Sequence, residues 1–224
     1  MTESDRDPPR RVLVSDFDGT MTRRDYYEIV MERLLPPDAP DFFGEYRDGR
    51  RTLFEALRDI FAYVPAGEET FARLTRESGL DPDLARGIAA LRDAGWEVVV
   101  VSAGCRWYID RLLAGAGVAV EVFANPGRID SEGRLIMEWP TDSPYQSANT
   151  GTGKAAAVRA LLATGRTVAY AGDSIPDLEA ALLVPPDLRF ARAQLARSLA
   201  ERGERFRPFD RWIEVAETLA RQRR

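Results

Sequence analysis

Asp16 stands at the end of an apolar run, RVLVSDF (residues 11–17), and Asp18-Gly19-Thr20 follow. Side chains two residues apart on an extended segment point to the same side, so both carboxylates can face one crevice. The competing reading is an Asp-Gly hairpin turn; it is weakened because a helical pattern, not a partner strand, comes next. Ser102-Ala103-Gly104 ends a second apolar run just before a helix. A hydroxyl and free backbone N–H groups there can cradle a phosphate, or Ser102 can simply cap the helix. Lys154 opens a further helix, where a cation near the positive end of the dipole is mildly unfavourable unless an anion sits beside it. Gly151-Thr152-Gly153-Lys154 does not complete a Walker loop, since Ala148 and Ala155 stand where Gly and Ser/Thr belong. GDSIPD (172–177) ends another strand. Ser174 and Asp177 read as a helix cap and its answering acid. That leaves Asp173 on the strand end, a carboxylate that would be costly to bury unpaired.

Composition narrows the chemistry. The 224 residues include no histidine, which excludes Ser-His-Asp and Cys-His catalysis and every His-ligated metal. If the chain is an enzyme, carboxylates must then carry proton transfer, and a hard metal with oxygen ligands is the expected helper. Of 31 basic residues Lys154 is the one lysine. A position that keeps a compact ammonium where the chain otherwise uses the wide guanidinium fork points to a need for the smaller head; chance survival is the alternative. The net charge of −5 comes with no basic run long enough for nucleic acid. No apolar run approaches the roughly 20 residues of a bilayer span, and MTESDRDPPRR has no apolar signal region. With a single cysteine, Cys105, the expectation is a cytoplasmic protein without disulfides.

Positioning these groups requires a scaffold. Buried strands are expected at 11–17, 96–104, 118–125, 166–173 and 187–191. Helices are expected at 25–35, 51–63, 68–78, 81–95, 106–115, 154–165, 176–184, 192–202 and 209–222. Residues 127–139 alternate around Ser131-Glu132-Gly133 as a hairpin, and 140–153 read as a polar loop. Strand–helix alternation implies an α/β fold, a Rossmann-like doubly wound parallel sheet covered on both faces. The helical stretch 22–80 is too long for a crossover, so it is expected to be a small inserted helical cap domain. The core is then 11–21 and 81–224, after a disordered lead at 1–10. In such sheets ligands sit outside the carboxyl ends of the strands, where Asp16, Ser102 and Asp173 fall.

DFDGT (16–20), VVVSAG (99–104), Lys154 and GDSIPD (172–177) match, in order, the four motifs of the haloacid dehalogenase (HAD) superfamily. The chain resembles that superfamily over nearly the whole core. A cap between the first two motifs resembles the helical-cap subgroup that includes phosphoserine phosphatase. DFDGTMTRRD, FANPGRIDSEGRLIMEWP (123–140) and RFARAQL (189–195) are similar to the 2-hydroxy-3-keto-5-methylthiopentenyl-1-phosphate phosphatase family of methionine salvage; the similarity lapses at 141–153.

The resemblance implies a Mg2+-dependent phosphatase acting on a small phosphorylated metabolite, as a monomer or homodimer, with no nucleic-acid or membrane partner. It implies that the Asp16 side chain, the Asp18 carbonyl and Asp173 hold Mg2+, while Asp177 holds the metal's waters or orients Lys154. Asp16 would attack phosphorus and become an aspartyl phosphate, and Asp18 would protonate the leaving alkoxide and then activate water. Ser102 and the amides of Ala103 and Gly104 would bind the phosphoryl oxygens that Lys154 neutralises. Asp25 would read the leaving group, with Arg23, Arg24, Tyr27, Phe43, Tyr46, Arg47 and Arg51 on the same cap segments. Phosphoserine phosphatase and phosphomutase are alternatives, as, in different classes, are a signalling receiver and a phosphate-binding regulator without turnover.

Overall fold

The computed structural model describes residues 11–222; the lead expected at 1–10 lies outside the described residues. Strands β1 (Arg11–Ser15), β2 (Trp96–Cys105) and β3 (Glu121–Asn125) come first. Two antiparallel pairs follow, β4 (Gly127–Ile129) with β5 (Leu135–Met137) and β6 (Gln146–Ser147) with β7 (Gly151–Thr152). Then come β8 (Thr167–Gly172), β9 (Arg189–Ala191) and β10 (Arg207–Pro208). Six strands form one sheet in the order β10-β9-β8-β1-β2-β3, every neighbouring pair parallel. The chain is therefore an α/β protein of the expected type.

The valine-rich runs of β1 and β2 are buried on both faces, as strands sandwiched between helices must be. Side-chain alternation sorts them: Leu13, Val98 and Val100 join one apolar cluster, and Val12, Val14, Val99 and Val101 the other. Between β1 and β2 the chain forms α1 (Tyr26–Leu34), α2 (Phe42–Arg47), α3 (Leu53–Ala62) and α4 (Glu68–Thr75). Helices α5 (Leu84–Asp93), α6 (Arg106–Gly115) and α10 (Trp212–Arg221) cover the first face. Helices α7 (Lys154–Ala163), α8 (Leu178–Leu182) and α9 (Ala193–Glu201) cover the second. Tyr26, Ile60, Phe61 and Phe71 of the first four helices belong to the same apolar cluster as α5 and α10, so these helices are seated on the first face.

Helix α1 stops ahead of Pro36-Pro37, where no helix can continue. Helix α3 starts with a capping box: Thr52 Oγ1 accepts from the Glu55 N–H and Glu55 returns the bond to the Thr52 N–H. The two connections to this helical group run side by side, with Thr22 bridged to Leu80 and the Asp81 N–H donating to the Met21 carbonyl at 2.9 Å.

The structure departs from the sequence reading in four places. Strand β10 is two residues, one of them proline, and α2 is six residues; neither is long enough to show a period. The loop expected at 140–153 contains the β6–β7 pair, whose strands are two residues each. Residues 176–184 begin as a 3-10 turn at Ile175–Asp177 before α8.

Asp81 fastens the second connection to α10. Its Oδ1 accepts from Arg211 Nη2 (2.6 Å) and the Asp83 N–H (2.9 Å), and its Oδ2 from the Ile213 N–H (3.2 Å). Asp81→Ala orphans the buried Ile213 amide and should lower the unfolding free energy by about 1–3 kcal/mol. Arg86→Ala removes only exposed ion pairs and should cost less than about 1 kcal/mol. Urea melts of both variants check the difference.

Candidate active site

The carboxyl ends of β1, β2 and β8 converge on one cavity of about 610 Å3. The Asp16 N–H donates to the Ala171 carbonyl (2.9 Å), which carries the β1–β8 ladder one residue further and fixes Asp16 at the carboxyl end of β1. Behind it the Trp212 indole donates to Ser15 Oγ (3.0 Å). The chain then turns tightly: the Phe17 carbonyl accepts from the Met21 N–H (2.8 Å), and the Gly19 N–H donates to Thr22 Oγ1 (3.0 Å). Gly19 has φ +67°, and a Cβ there would stand 2.3 Å from Asp173 Oδ2 and 2.9 Å from Asp25 Oδ1. Only glycine lets these two carboxylates approach the turn.

Asp18 accepts from the Tyr26 N–H at the start of α1 (3.1 Å) and from the Tyr108 hydroxyl of α6 (2.5 Å). Burial pushes its carboxyl up to about 6, against the pull of those two donors. Gly104 is required beside it, since a Cβ there would meet the Tyr108 hydroxyl at 1.9 Å.

Lys154 Nζ lies 2.9 Å from Asp16 Oδ2 and 2.6 Å from Asp177 Oδ1. Burial favours its neutral form, but the two carboxylates hold its ammonium above the usual lysine value. Asp177 Oδ1 also accepts from the Tyr170 hydroxyl (2.5 Å). Its Oδ2 accepts from the Asp173 N–H (3.0 Å), the Ser174 N–H (2.8 Å) and Ser174 Oγ (3.0 Å). Burial alone would raise the Asp177 carboxyl; Lys154, Tyr170 and Ser174 overcome it and hold the group below the ordinary carboxylate value. The other acids lack such support. Asp16 is raised by burial and by Asp177, with Lys154 opposing. Asp173 is pushed up to about 8 by burial, Asp177 and Asp25, and Asp25 is raised by burial, Asp18 and Asp16.

Asp16, Asp173 and Asp177 offer carboxylate oxygens within 4.8 Å of one another. An all-oxygen donor set with uncompensated buried negative charge suits a hard divalent cation. Asp177 already accepts five hydrogen bonds, about the capacity of a carboxylate. Of the two roles expected for it, orienting Lys154 is the one its geometry supports. Asp16 and Asp173 keep open oxygens, and among the described residues no donor reaches the Asp18 carbonyl.

Ser102 and Ala103 line the cavity beside these acids. The Gly104 N–H, expected to be free, instead donates to Ser102 Oγ (3.0 Å), because β2 breaks register against β3 between Val101 and Cys105 and the amide must find a partner inside the turn. Asp25, Tyr27, Phe43, Tyr46 and Arg47 also line the cavity, with Leu53, Leu57 and Phe61 of α3. Tyr27 stacks on Phe43 (centroids 4.7 Å apart). Arg23, Arg24 and Arg51 stand off the lining; Arg24 pairs with Glu32, and Arg51 with Glu45 and Asp59. Sequence reasoning missed Tyr108 and Tyr170, which look like ordinary apolar-face residues of α6 and β8 until their hydroxyls are placed. It also missed Thr20, whose hydroxyl donates to Asp173 (3.2 Å).

The family model for haloacid dehalogenase-like hydrolases matches residues 13–182. The 2-hydroxy-3-keto-5-methylthiopentenyl-1-phosphate phosphatase of Bacillus velezensis is 27% identical over 211 residues, 91% of this chain and 87% of its own. Among solved structures, a HAD family hydrolase of Salmonella enterica superposes with a TM-score of 0.71 at 15% identity, covering 96% of this chain and 73% of that one. Phosphoserine phosphatase from T. onnurineus gives 0.67 at 16% identity, covering 97% and 99%. The two structures share the fold.

The acid cluster makes a signed prediction for the metal-free protein. Asp173 titrates near 3.8 when unfolded and about 8 when folded, so its burial erodes stability as pH rises from about 4 to about 8. Asp173→Asn cannot ionise. It should raise the metal-free melting temperature at pH 8, by about 2–4 °C per kcal/mol relieved, and change little at pH 4. With excess Mg2+ at pH 8 the order should reverse, because wild type keeps the better cation site. Calorimetric scans in EDTA and in Mg2+ check both signs.

Proposed function

The chain belongs to the haloacid dehalogenase-like hydrolases, and we propose that it is a phosphatase that cleaves a small phosphomonoester through an aspartyl phosphate on Asp16. The observation that carries this is the unequal treatment of two neighbouring carboxylates. Asp177 is saturated with donors and cannot attack. Asp16 sits on the same lysine, and among the described residues no other donor reaches its side chain. An open carboxylate at the carboxyl end of a central strand, facing a cavity, is placed to act as a nucleophile.

Each remaining group then has work. Lys154 has three ammonium protons, two of them directed at Asp16 and Asp177, and the third serves a phosphoryl oxygen. Ser102 binds a second oxygen. Asp18, held up at about 6, keeps a protonated fraction near neutrality; it gives its proton to the leaving oxygen and then takes one from the attacking water. Tyr108 and the Tyr26 amide fix its orientation. A Mg2+ held by Asp16, Asp173 and the Asp18 carbonyl would offset the repulsion between carboxylate and phosphoryl group. Residues 22–80 serve as a cap that opens to admit substrate and closes to exclude water. We place the enzyme in the cytoplasm because Cys105 is buried and unbridged.

Asp25 and the aromatic wall face the leaving group. The Bacillus velezensis relative's name gives the substrate we favour, 2-hydroxy-3-keto-5-methylthiopentenyl 1-phosphate, and Tyr27, Phe43, Leu53 and Leu57 provide apolar surface for such a tail. Glu28 and Arg47, opposite charges on the same lining, favour a second reading, phosphoserine, whose ammonium and carboxylate need one of each.

Phosphate release from both compounds and from a panel of sugar and nucleoside phosphates should depend on Mg2+ and stop in EDTA. Asp16→Asn should lower turnover by more than about a thousand-fold while the protein stays folded by circular dichroism; near-normal turnover would refute the assignment. Asp25→Ala should change the ranking of substrates, and an unchanged ranking removes Asp25 from substrate reading.

A further inference from the structure

The β6–β7 hairpin reaches both sides of the cavity without placing any side chain in it. At its tip Asn149 caps α3 from outside: its Oδ1 accepts from the Leu53 N–H (3.1 Å) and its carbonyl from the Phe54 N–H (2.9 Å). Thr52 caps the next free amide, that of Glu55. The first amides of a helix have no partner within it, so α3 depends on a residue almost 100 positions away in sequence. Helix α3 carries Leu53, Leu57 and Phe61, part of the cavity wall.

At the hairpin's foot stands Asn125, fully buried at the end of β3. Its Nδ2 donates to the carbonyls of Ala103 (2.7 Å) and Thr150 (3.0 Å). Its Oδ1 accepts from the Thr152 N–H (2.9 Å) and hydroxyl (3.2 Å). That is the full capacity of an amide side chain. Asn125 thus takes up the Ala103 carbonyl where β2 loses register with β3 and ties it to the residues just ahead of Lys154. Gly151 is the joint between foot and tip: at φ +71° a Cβ there would meet Asn125 Oδ1 at 2.2 Å and the Phe54 ring at 2.9 Å.

We propose that this hairpin couples the seating of the α3 start to phosphate binding, with Asn149 and Asn125 as positioning residues. When Asn149 caps α3, the cavity wall is seated and the backbone of 150–153 is fixed on Asn125. That fixing sets both Ala103 and the start of α7, where Lys154 leaves. An anion on Lys154 and Ser102 favours the same arrangement from the other end. Coupling of this kind is reciprocal, so phosphate should tighten the α3 start as much as the α3 cap tightens phosphate. The proposal rests on the phosphatase reading for its ligand, and the ligand-free part of the test does not.

The test uses the full chain with Mg2+ and inorganic phosphate. Asn149 is exposed, so replacements should fold. In the ligand-free protein, Asn149→Ala should speed amide exchange over residues 53–57, and Asn149→Asp, which keeps an acceptor at a helix N-terminus, should not. Phosphate should slow that exchange in wild type and in Asn149→Asp but much less in Asn149→Ala. Its dissociation constant by calorimetry should rise about five-fold in Asn149→Ala, the weight of one net hydrogen bond, with rescue in Asn149→Asp. Equal phosphate affinity in wild type and Asn149→Ala would overturn the coupling and leave the phosphatase reading standing. Unchanged exchange at α3 would overturn the cap itself. A wild type that binds no phosphate while its α3 exchange still responds to Asn149→Ala would sink the phosphatase reading, and with it the coupling.

Discussion

One buried ammonium has to offset a group of buried and half-buried carboxylates. Lys154 is wedged between Asp16 and Asp177, while Asp18, Asp25 and Asp173 are also pushed above the ordinary carboxylate value, burial being the largest cause for each. Isolated charges are expensive to bury, and breaking a buried pair by removing one partner is strongly destabilising. The chain resolves this unevenly. Asp177 is loaded with donors and stays ionised, while Asp16 and Asp173 are left with open oxygens. The remaining excess of negative charge is what a divalent cation would offset. Both carboxylates meet on one nitrogen, Lys154 Nζ, a contact that a compact ammonium makes and a planar guanidinium would spread over separate nitrogens.

The fold serves that constraint. Parallel strands end together at one edge, so β1, β2 and β8 deliver Asp16, Ser102 and Asp173 to a common crevice although they come from distant parts of the chain. The tight turn at Gly19 brings the Asp18 segment back under α1, and α6 sets Tyr108 against Asp18. Residues 22–80 add Tyr27, Phe43, Leu53, Leu57 and Phe61 to the cavity lining together with the charged Asp25, Glu28 and Arg47, so the lining is mixed there and richest in acids at the strand ends.

Much of this was legible in the sequence. The valine-rich runs with acids or Gly at their ends specify buried parallel strands, and the ends are where ligands bind. The lone lysine against 30 arginines' worth of bias pointed to the residue that holds the charge balance. The hairpin around Ser131-Glu132-Gly133 formed where the alternation placed it. What escaped had no local signature. Strand β10 is held by its place beside β9, and β6–β7 by Asn125, which sits in a run that reads only as a strand end. Tyr108 and Tyr170 act through hydroxyls whose targets lie 90 and 7 residues away, and nothing in their neighbourhoods marks them. The Gly104 amide, free on paper, is used up by Ser102. Long-range pairing decided β10, β6–β7 and Tyr108, while Tyr170 and the Gly104 amide are set by hydrogen bonds to groups 7 and 2 residues away that propensity does not reveal.

The central claim is that the open carboxylate, Asp16, accepts the phosphoryl group. The direct measurement is rapid acid quenching during turnover with Mg2+, followed by mass analysis of the peptide that carries residues 12–22. The account predicts a fraction of that peptide heavier by one phosphoryl group, with the added mass on Asp16 and absent when substrate is withheld. Steady turnover with no phosphorylated Asp16 at any quench time, or with the group on another residue, would contradict it.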